Sequence, residues 1–288
     1  MKKFLLFLLL ILSYLILAGF SSHNLFRDPR IIGNPREVVF VLHGMGGSAS
    51  DFNGFRARIV TYEANNAHFL DIIVRPSTSY NQTLESIVRR GNLNDRLLFI
   101  LVEFSNSRDY VENQVRELIE IRNNISDILG WNTQYSIVGH SKGGLVATSF
   151  AARVGGRNGR LNRVITLGTP FTLHWWHYWA TNFGLDRTIG DPEQMRAIRN
   201  QWNNIPIASK PRAYAFATET NFLIGGHNSD GMVPSGVANG SGFNAFIPTV
   251  IRRPSISYGN TYRHANMVNT DTARNFIMNR LGFWRPFL

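Results

Sequence analysis

The 288-residue sequence contains no cysteine. Disulfides, a thiol nucleophile, zinc–thiolate and iron–sulfur sites, and a cysteine-linked lipid are therefore excluded, and an exported fold would have to rely on its core alone. Acidic residues are also scarce, 19 against 30 Lys and Arg, for a formal net charge of +11. Prolines number 11, charged residues make up only 17%, and there is no low-complexity tract or internal period. With 44% hydrophobic residues, this composition excludes a disordered, collagen-like or repeat protein. No His-Glu-x-x-His zinc signature and no phosphate-binding P-loop occur, so no metal and no cofactor are expected. The cations are mostly arginine and are scattered rather than gathered on one arm or helix. Nucleic acid is therefore not an expected partner, and an anionic membrane surface is the candidate for so basic a chain.

Long apolar runs are nearly absent as well, with one exception, Phe4 to Phe20. It follows Met1-Lys2-Lys3 and precedes Ser21-Ser22-His23-Asn24, the charged, greasy and polar zones of an export signal. The run is shorter than the roughly 20 residues that cross a bilayer comfortably. Residues 1–22 are expected to be a signal peptide or an N-terminal anchor, making the protein secreted, periplasmic or membrane-anchored. Residues 23–288 are expected to form one domain.

What is present alternates. Glu37–Leu42 is a continuous apolar run that stops at His43-Gly44-Met45-Gly46-Gly47, as a buried parallel strand ending in a tight loop would. A helix is expected next, capped by Ser50 or Asp51 and carrying Phe52, Phe55 and Ile59. Leu70–Val74 and Arg96–Phe104 are further strand candidates, with the choice between them for the central sheet left open. Tyr110–Leu129 has helical apolar spacing and ends at Gly130. Strands are then expected at Tyr135–Val138, Arg163–Leu167 and Arg212–Ala217, with helices at 144–152 and from about Ala265 to Leu281. Such alternation predicts a largely parallel sheet with helices on both faces.

Gly139-His140-Ser141-Lys142-Gly143 matches G-x-S-x-G, between a strand and a helix as that motif requires. A sharp turn there projects the serine Oγ from the sheet edge, while the flanking glycines let strand and helix approach. A serine hydroxyl needs a base to take its proton, and the oxyanion it generates needs donors already in place. The backbone N–H groups of Met45 and Lys142 are the expected oxyanion hole. In chain order the acid precedes the histidine, which selects Asp230, in the loop after the Arg212–Ala217 strand, and His264, just before the last helix. Asp186, Asp191 and Glu219 are rival acids, and His227 lies too close to Asp230 for the usual order. His68, His140, His174 and His177 read as surface or packing residues.

Together, His43-Gly44-x-Gly46, Gly139-His140-Ser141-x-Gly143-Gly144, Leu167-Gly168-Thr169-Pro170 and Asp230-Gly231-x-Val233-Pro234 resemble the α/β-hydrolase lipases and esterases of bacteria over residues 36–281. The resemblance implies an α/β-hydrolase fold with a mostly parallel sheet, flanking helices and a lid, and hydrolysis of carboxylic esters. Lys142 stands where such lipases often carry Met or Gln. The segment 171–204 holds His174-Trp175-Trp176-His177-Tyr178-Trp179, and Trp and Tyr favour the boundary between apolar and aqueous surroundings. Trp175, Trp176 and Trp179 are therefore expected to line a lid or acyl-binding wall for a lipid-like ester. An acyltransferase or thioesterase would use the same triad, and a non-catalytic hydrolase-like binding protein is the alternative from another class.

Overall fold

In a computed structural model of the chain, the described residues are 37–57, 69–74, 97–155, 160–171, 192–224, 227–229, 233, 238–240, 243–252 and 264–282. The expected N-terminal signal or anchor, and the tryptophans of the expected lid, lie outside them.

Among the described residues, eight strands form one sheet. Strands β1 (Glu37–Leu42), β2 (Phe69–Val74), β3 (Leu97–Val102), β4 (Gln134–His140), β5 (Leu161–Leu167) and β6 (Arg212–Ile224) stand in the order β2-β3-β1-β4-β5-β6, every neighbouring pair parallel. Both sequence candidates before residue 105 thus belong to the sheet. Strand β6 runs on past Ala217 and divides its outer edge between two partners. Its first half pairs in parallel with β8 (Phe246–Arg252), and its last residues pair antiparallel with β7 (His227–Ser229).

Helices α1 (Val111–Leu129), α2 (Lys142–Phe150), α3 (Pro192–Asn203) and α4 (Asp271–Arg280) cover the two faces. The period-two alternation of β1 and β3 decides which face each residue meets. Val38, Phe40, Leu42, Leu98, Ile100 and Val102 join the core that contains Val115, Leu118 and Ile121 of α1, Val146 of α2 and Trp202 of α3. Val39, Val41, Leu97, Phe99 and Leu101 face the other core, with Phe52, Phe55, Ile277 and Met278. A strand buried on both faces has no position left for a polar residue, hence the unbroken apolar runs. Each such side chain contributes roughly 1.5–3 kcal/mol relative to exposure.

Of the expected aromatic insert, Phe171 and residues 192–204 are described, and they lie against the body of the fold. Phe171, Met195, Ile198 and Trp202 are buried in the α1/α2-side core, the last three at the i, i+3, i+7 spacing of one helix face. The Trp202 indole N–H donates to Asn244 O at 2.7 Å. Two local expectations shift as well. The first helical turn after β1 is capped by Ser48, whose side chain accepts from Ser50 N, rather than by Ser50 or Asp51. The C-terminal helix is two pieces, a 3-10 segment His264–Asn269 and α4, parted where Thr270 Oγ1 caps Ala273 N–H.

At the amino ends of the strands, away from the turns that carry chemistry, the Glu37 carboxylate accepts Arg163 Nη1 at 2.9 Å on both oxygens, the Ser136 hydroxyl, and Asn162 Nδ2 at 3.4 Å. A carboxylate this buried is tolerable because its charge is matched and its lone pairs are filled. The cluster staples β1, β4 and β5 at one end, so their carboxyl ends, where the loops diverge, are held in fixed register.

Candidate active site

Strand β4 ends at His140 and α2 begins at Lys142, leaving Ser141 alone between them with φ 53° and ψ −124°. A non-glycine residue in this region costs on the order of 1–3 kcal/mol and persists only when its surroundings over-determine it. Here they do. Ser141 N–H donates to Leu167 O at 2.8 Å, and Ser141 O accepts Gly144 N–H at 2.9 Å. The turn is also too tight for side chains on its flanks. A Cβ on Gly143 would lie 2.5 Å from His43 O, and one on Gly139 would collide with the Gly143 carbonyl.

The turn after β1 runs against this elbow. A Cβ on Gly44 would stand 3.1 Å from the Ser141 Cβ and 3.4 Å from His140 Nδ1. His43 pins the turn from beneath: its Nδ1–H donates to Gly44 O at 2.8 Å, and its Nε2 accepts Phe104 N–H at 3.3 Å. Burial lowers its pKa, and with both ring nitrogens bound to backbone groups it serves as a spacer. Met45, whose amide is one expected oxyanion donor, is partly buried and packs on the core. Lys142, whose amide is the other, is the first residue of α2, where backbone N–H groups lack helical partners.

His264 opens its 3-10 segment with only 6% of its surface exposed. Its carbonyl accepts the Nε2–H of His140 at 2.9 Å, and the two rings lie 4.7 Å apart. Since His140 directly precedes Ser141, this contact ties the expected base to the residue next to the expected nucleophile. Burial, and then the neighbouring His264, push the His140 pKa well below the usual histidine value. A neutral His140 with its proton on Nε2 donates to His264 without adding a positive charge beside it. Asn269 fixes the other end of the segment, donating through Nδ2 to Asp51 O at 2.8 Å and accepting Phe55 N–H through Oδ1 at 3.0 Å. The helical segment that follows the turn after β1 and the histidine segment are thereby joined directly.

Asp230 lies outside the described residues, immediately after Ser229, the last residue of β7. Trp175, Trp176 and Trp179 also lie outside them. The roles of His140 and Asn269 were not visible in the sequence, and neither was the placement of the Lys142 side chain. That side chain is only 1% exposed, and its Nζ donates to Ser107 O at 3.3 Å and to Asp109 O. Burial pushes its pKa down to about 8 against the opposing pull of Asp109. Among the described residues, no group of His, Asp and Glu is placed to hold a metal.

Solved structures share the fold at low sequence identity. The lin2722 gene product of Listeria innocua superposes with a TM-score of 0.61 at 16% identity, covering 88% of this chain and 96% of that one. A putative cell surface hydrolase from Lactobacillus plantarum gives 0.58 at 17% identity, over 88% and 94% of the two chains. The mature lipase BlEst2 of Bacillus licheniformis gives 0.54 at 16% identity, over 86% and 92%. No curated protein matches the sequence. A family model described as "Alpha/beta hydrolase of unknown function (DUF915)" matches residues 32–282. The chain belongs to that α/β-hydrolase family.

Proposed function

We propose that the protein hydrolyses carboxylic esters of lipid-like substrates through an acyl-enzyme on Ser141. The observation that carries this reading is the strained Ser141 at the strand–helix elbow, whose neighbour His140 donates to the His264 carbonyl. In the first step His264 takes the hydroxyl proton, and Ser141 Oγ forms a bond to the ester carbonyl carbon. The amides of Met45 and Lys142 hold the resulting oxyanion. The oxyanion then collapses, the alcohol leaves with the proton from His264, and a water deprotonated by the same histidine releases the acid and restores Ser141. Asp230 orients His264 and stabilises its charged form. A lipid-like substrate accords with Trp175, Trp176 and Trp179, and with the export or anchoring signal of residues 1–22, which would place the enzyme at an anionic membrane surface. BlEst2, called a lipase, shares the fold.

A fluorophosphonate probe is expected to label wild-type protein on Ser141, and p-nitrophenyl esters are expected to be hydrolysed. Ser141→Ala should abolish both while retaining the wild-type circular dichroism spectrum, with turnover reduced by several orders of magnitude. Turnover at the wild-type rate in that variant would refute the mechanism.

A further inference from the structure

The loop between β3 and α1, residues 103–110, flanks the turn after β1, and Arg108 stands at the point of contact. A Cβ on Gly46 would lie 3.9 Å from Arg108 Nε, so the guanidinium lies alongside the turn that carries the Met45 amide. Arg108 is exposed.

Its position is built rather than loose. Arg108 N–H donates to Asn106 Oδ1 at 3.0 Å, and Asp109 N–H donates to Asn106 O at 3.1 Å. Gln114 Nε2 also donates to Asn106 O, at 2.9 Å, and Ser105 is held by Glu117. The two carbonyls that accept from Lys142 Nζ are Ser107 O and Asp109 O, one on each side of Arg108. The buried lysine beside the nucleophile thus grips the loop at the residue that presents the guanidinium.

Nearby carboxylates are committed elsewhere. Asp109 Oδ1 accepts Tyr110 N–H and Asn113 Nδ2, Glu117 accepts from Ser105, and Glu112 pairs with Arg153 and Arg116. Asp51 lies against Gly47, the next residue of the turn. Among the described residues the Arg108 guanidinium has no carboxylate partner. A planar fork of donors at the edge of a reaction centre suits a carboxylate or phosphate.

Resting on the hydrolase reading above, we infer that Arg108, positioned by Lys142, is a specificity-determining residue that selects esters bearing an anionic group, carboxylate or phosphate, close to the scissile carbonyl. Lys142 acts here through the loop and is a positioning residue.

A series of aryl acetates of one size tests this: 4-acetoxybenzoate, 4-acetoxyphenyl phosphate, neutral methyl 4-acetoxybenzoate, and cationic 4-acetoxy-N,N,N-trimethylanilinium. Comparing kcat/KM ratios between wild type and variants cancels the intrinsic reactivity of each ester. Arg108→Ala is expected to lower the anionic-to-neutral ratio tenfold or more, and Arg108→Glu to shift preference to the cationic ester. Arg108→Lys should retain part of the ratio, and Lys142→Met should lower it with Arg108 still in place. The carboxylate and phosphate arms show which anion the site takes. Ratios unchanged in Arg108→Ala and Arg108→Glu, with Ser141 still labelled by the fluorophosphonate, would overturn the role of Arg108 alone. Absence of both labelling and turnover in the wild type would overturn the hydrolase reading and this assignment with it.

Discussion

Replacing Lys142 by methionine keeps the length and apolar stem of the side chain and removes its buried charge. In the folded protein the Lys142 pKa is lowered from 10.5 to about 8, chiefly by burial. Below pH 8 both folded and unfolded states hold the proton, so the cost of burying the ammonium is present in full. Between about pH 8 and 10.5 the folded state releases the proton and the unfolded state keeps it. Wild-type stability therefore rises with pH through this window, by at most 1.36 kcal/mol per pH unit. A lowering of this size corresponds to a burial cost on the order of 3 kcal/mol at neutral pH. Methionine removes that cost but leaves Ser107 O and Asp109 O without their donor, at about 1 kcal/mol each where water can partly replace it. Lys142→Met is thus expected to be about 1 kcal/mol more stable than wild type at pH 7. The wild type should then gain roughly 2 kcal/mol on the variant between pH 7 and pH 10, reversing the order. Urea unfolding of both proteins across this range measures the difference, in which all other titrating groups cancel. A difference that stays flat from pH 7 to pH 10 would show that the ammonium is hydrated in the folded state and refute the argument.

The acid of the proposed triad is open to a paired test: Asp230→Asn should cut ester turnover severely while Glu219→Gln leaves it near wild type, and the opposite pattern would move the role to Glu219. Asn269→Ala removes the hydrogen bonds to Asp51 O and Phe55 N, costing about 1–3 kcal/mol. A lower melting temperature accompanied by a fall in kcat is expected. An unchanged kcat despite the lower melting temperature would show that this link does not position His264.

The sequence displayed the parts of this fold whose local pattern agrees with their tertiary setting. Strands β1 and β3 are near-continuous apolar runs because both their faces are covered, and the elbow is marked by glycines that close packing requires. Strand β8 went unread because Pro248 interrupts it. A proline is admissible there because, among the described residues, β8 lies at the sheet edge with β6 as its one neighbour. The middle of β6 is polar, Thr218-Glu-Thr-Asn221, and resembles a loop. The structure extends it as a strand because β7 folds back upon it. The side-chain roles of His140 and Lys142 were hidden for a different reason. Their partners stand 124 and 33 positions away, and a polar residue reads as exposed until those partners are brought to it.

That separation has a kinetic consequence. The elbow and the turn after β1 both come from residues 37–155, yet His264 reaches them only through contacts such as Asn269 with Asp51, 218 positions apart. Contacts of this span pay their loop-closure entropy before they return any stability, and they form late. A nascent chain therefore carries its serine through much of the second half of its synthesis without the histidine that would activate it. The same order runs in reverse on warming. The segment from His264 to α4 is attached through Asn269 to the helical segment that follows the turn after β1, so its detachment would disarm the serine while the parallel sheet is still intact. Activity should thus be lost at a lower temperature than the secondary structure.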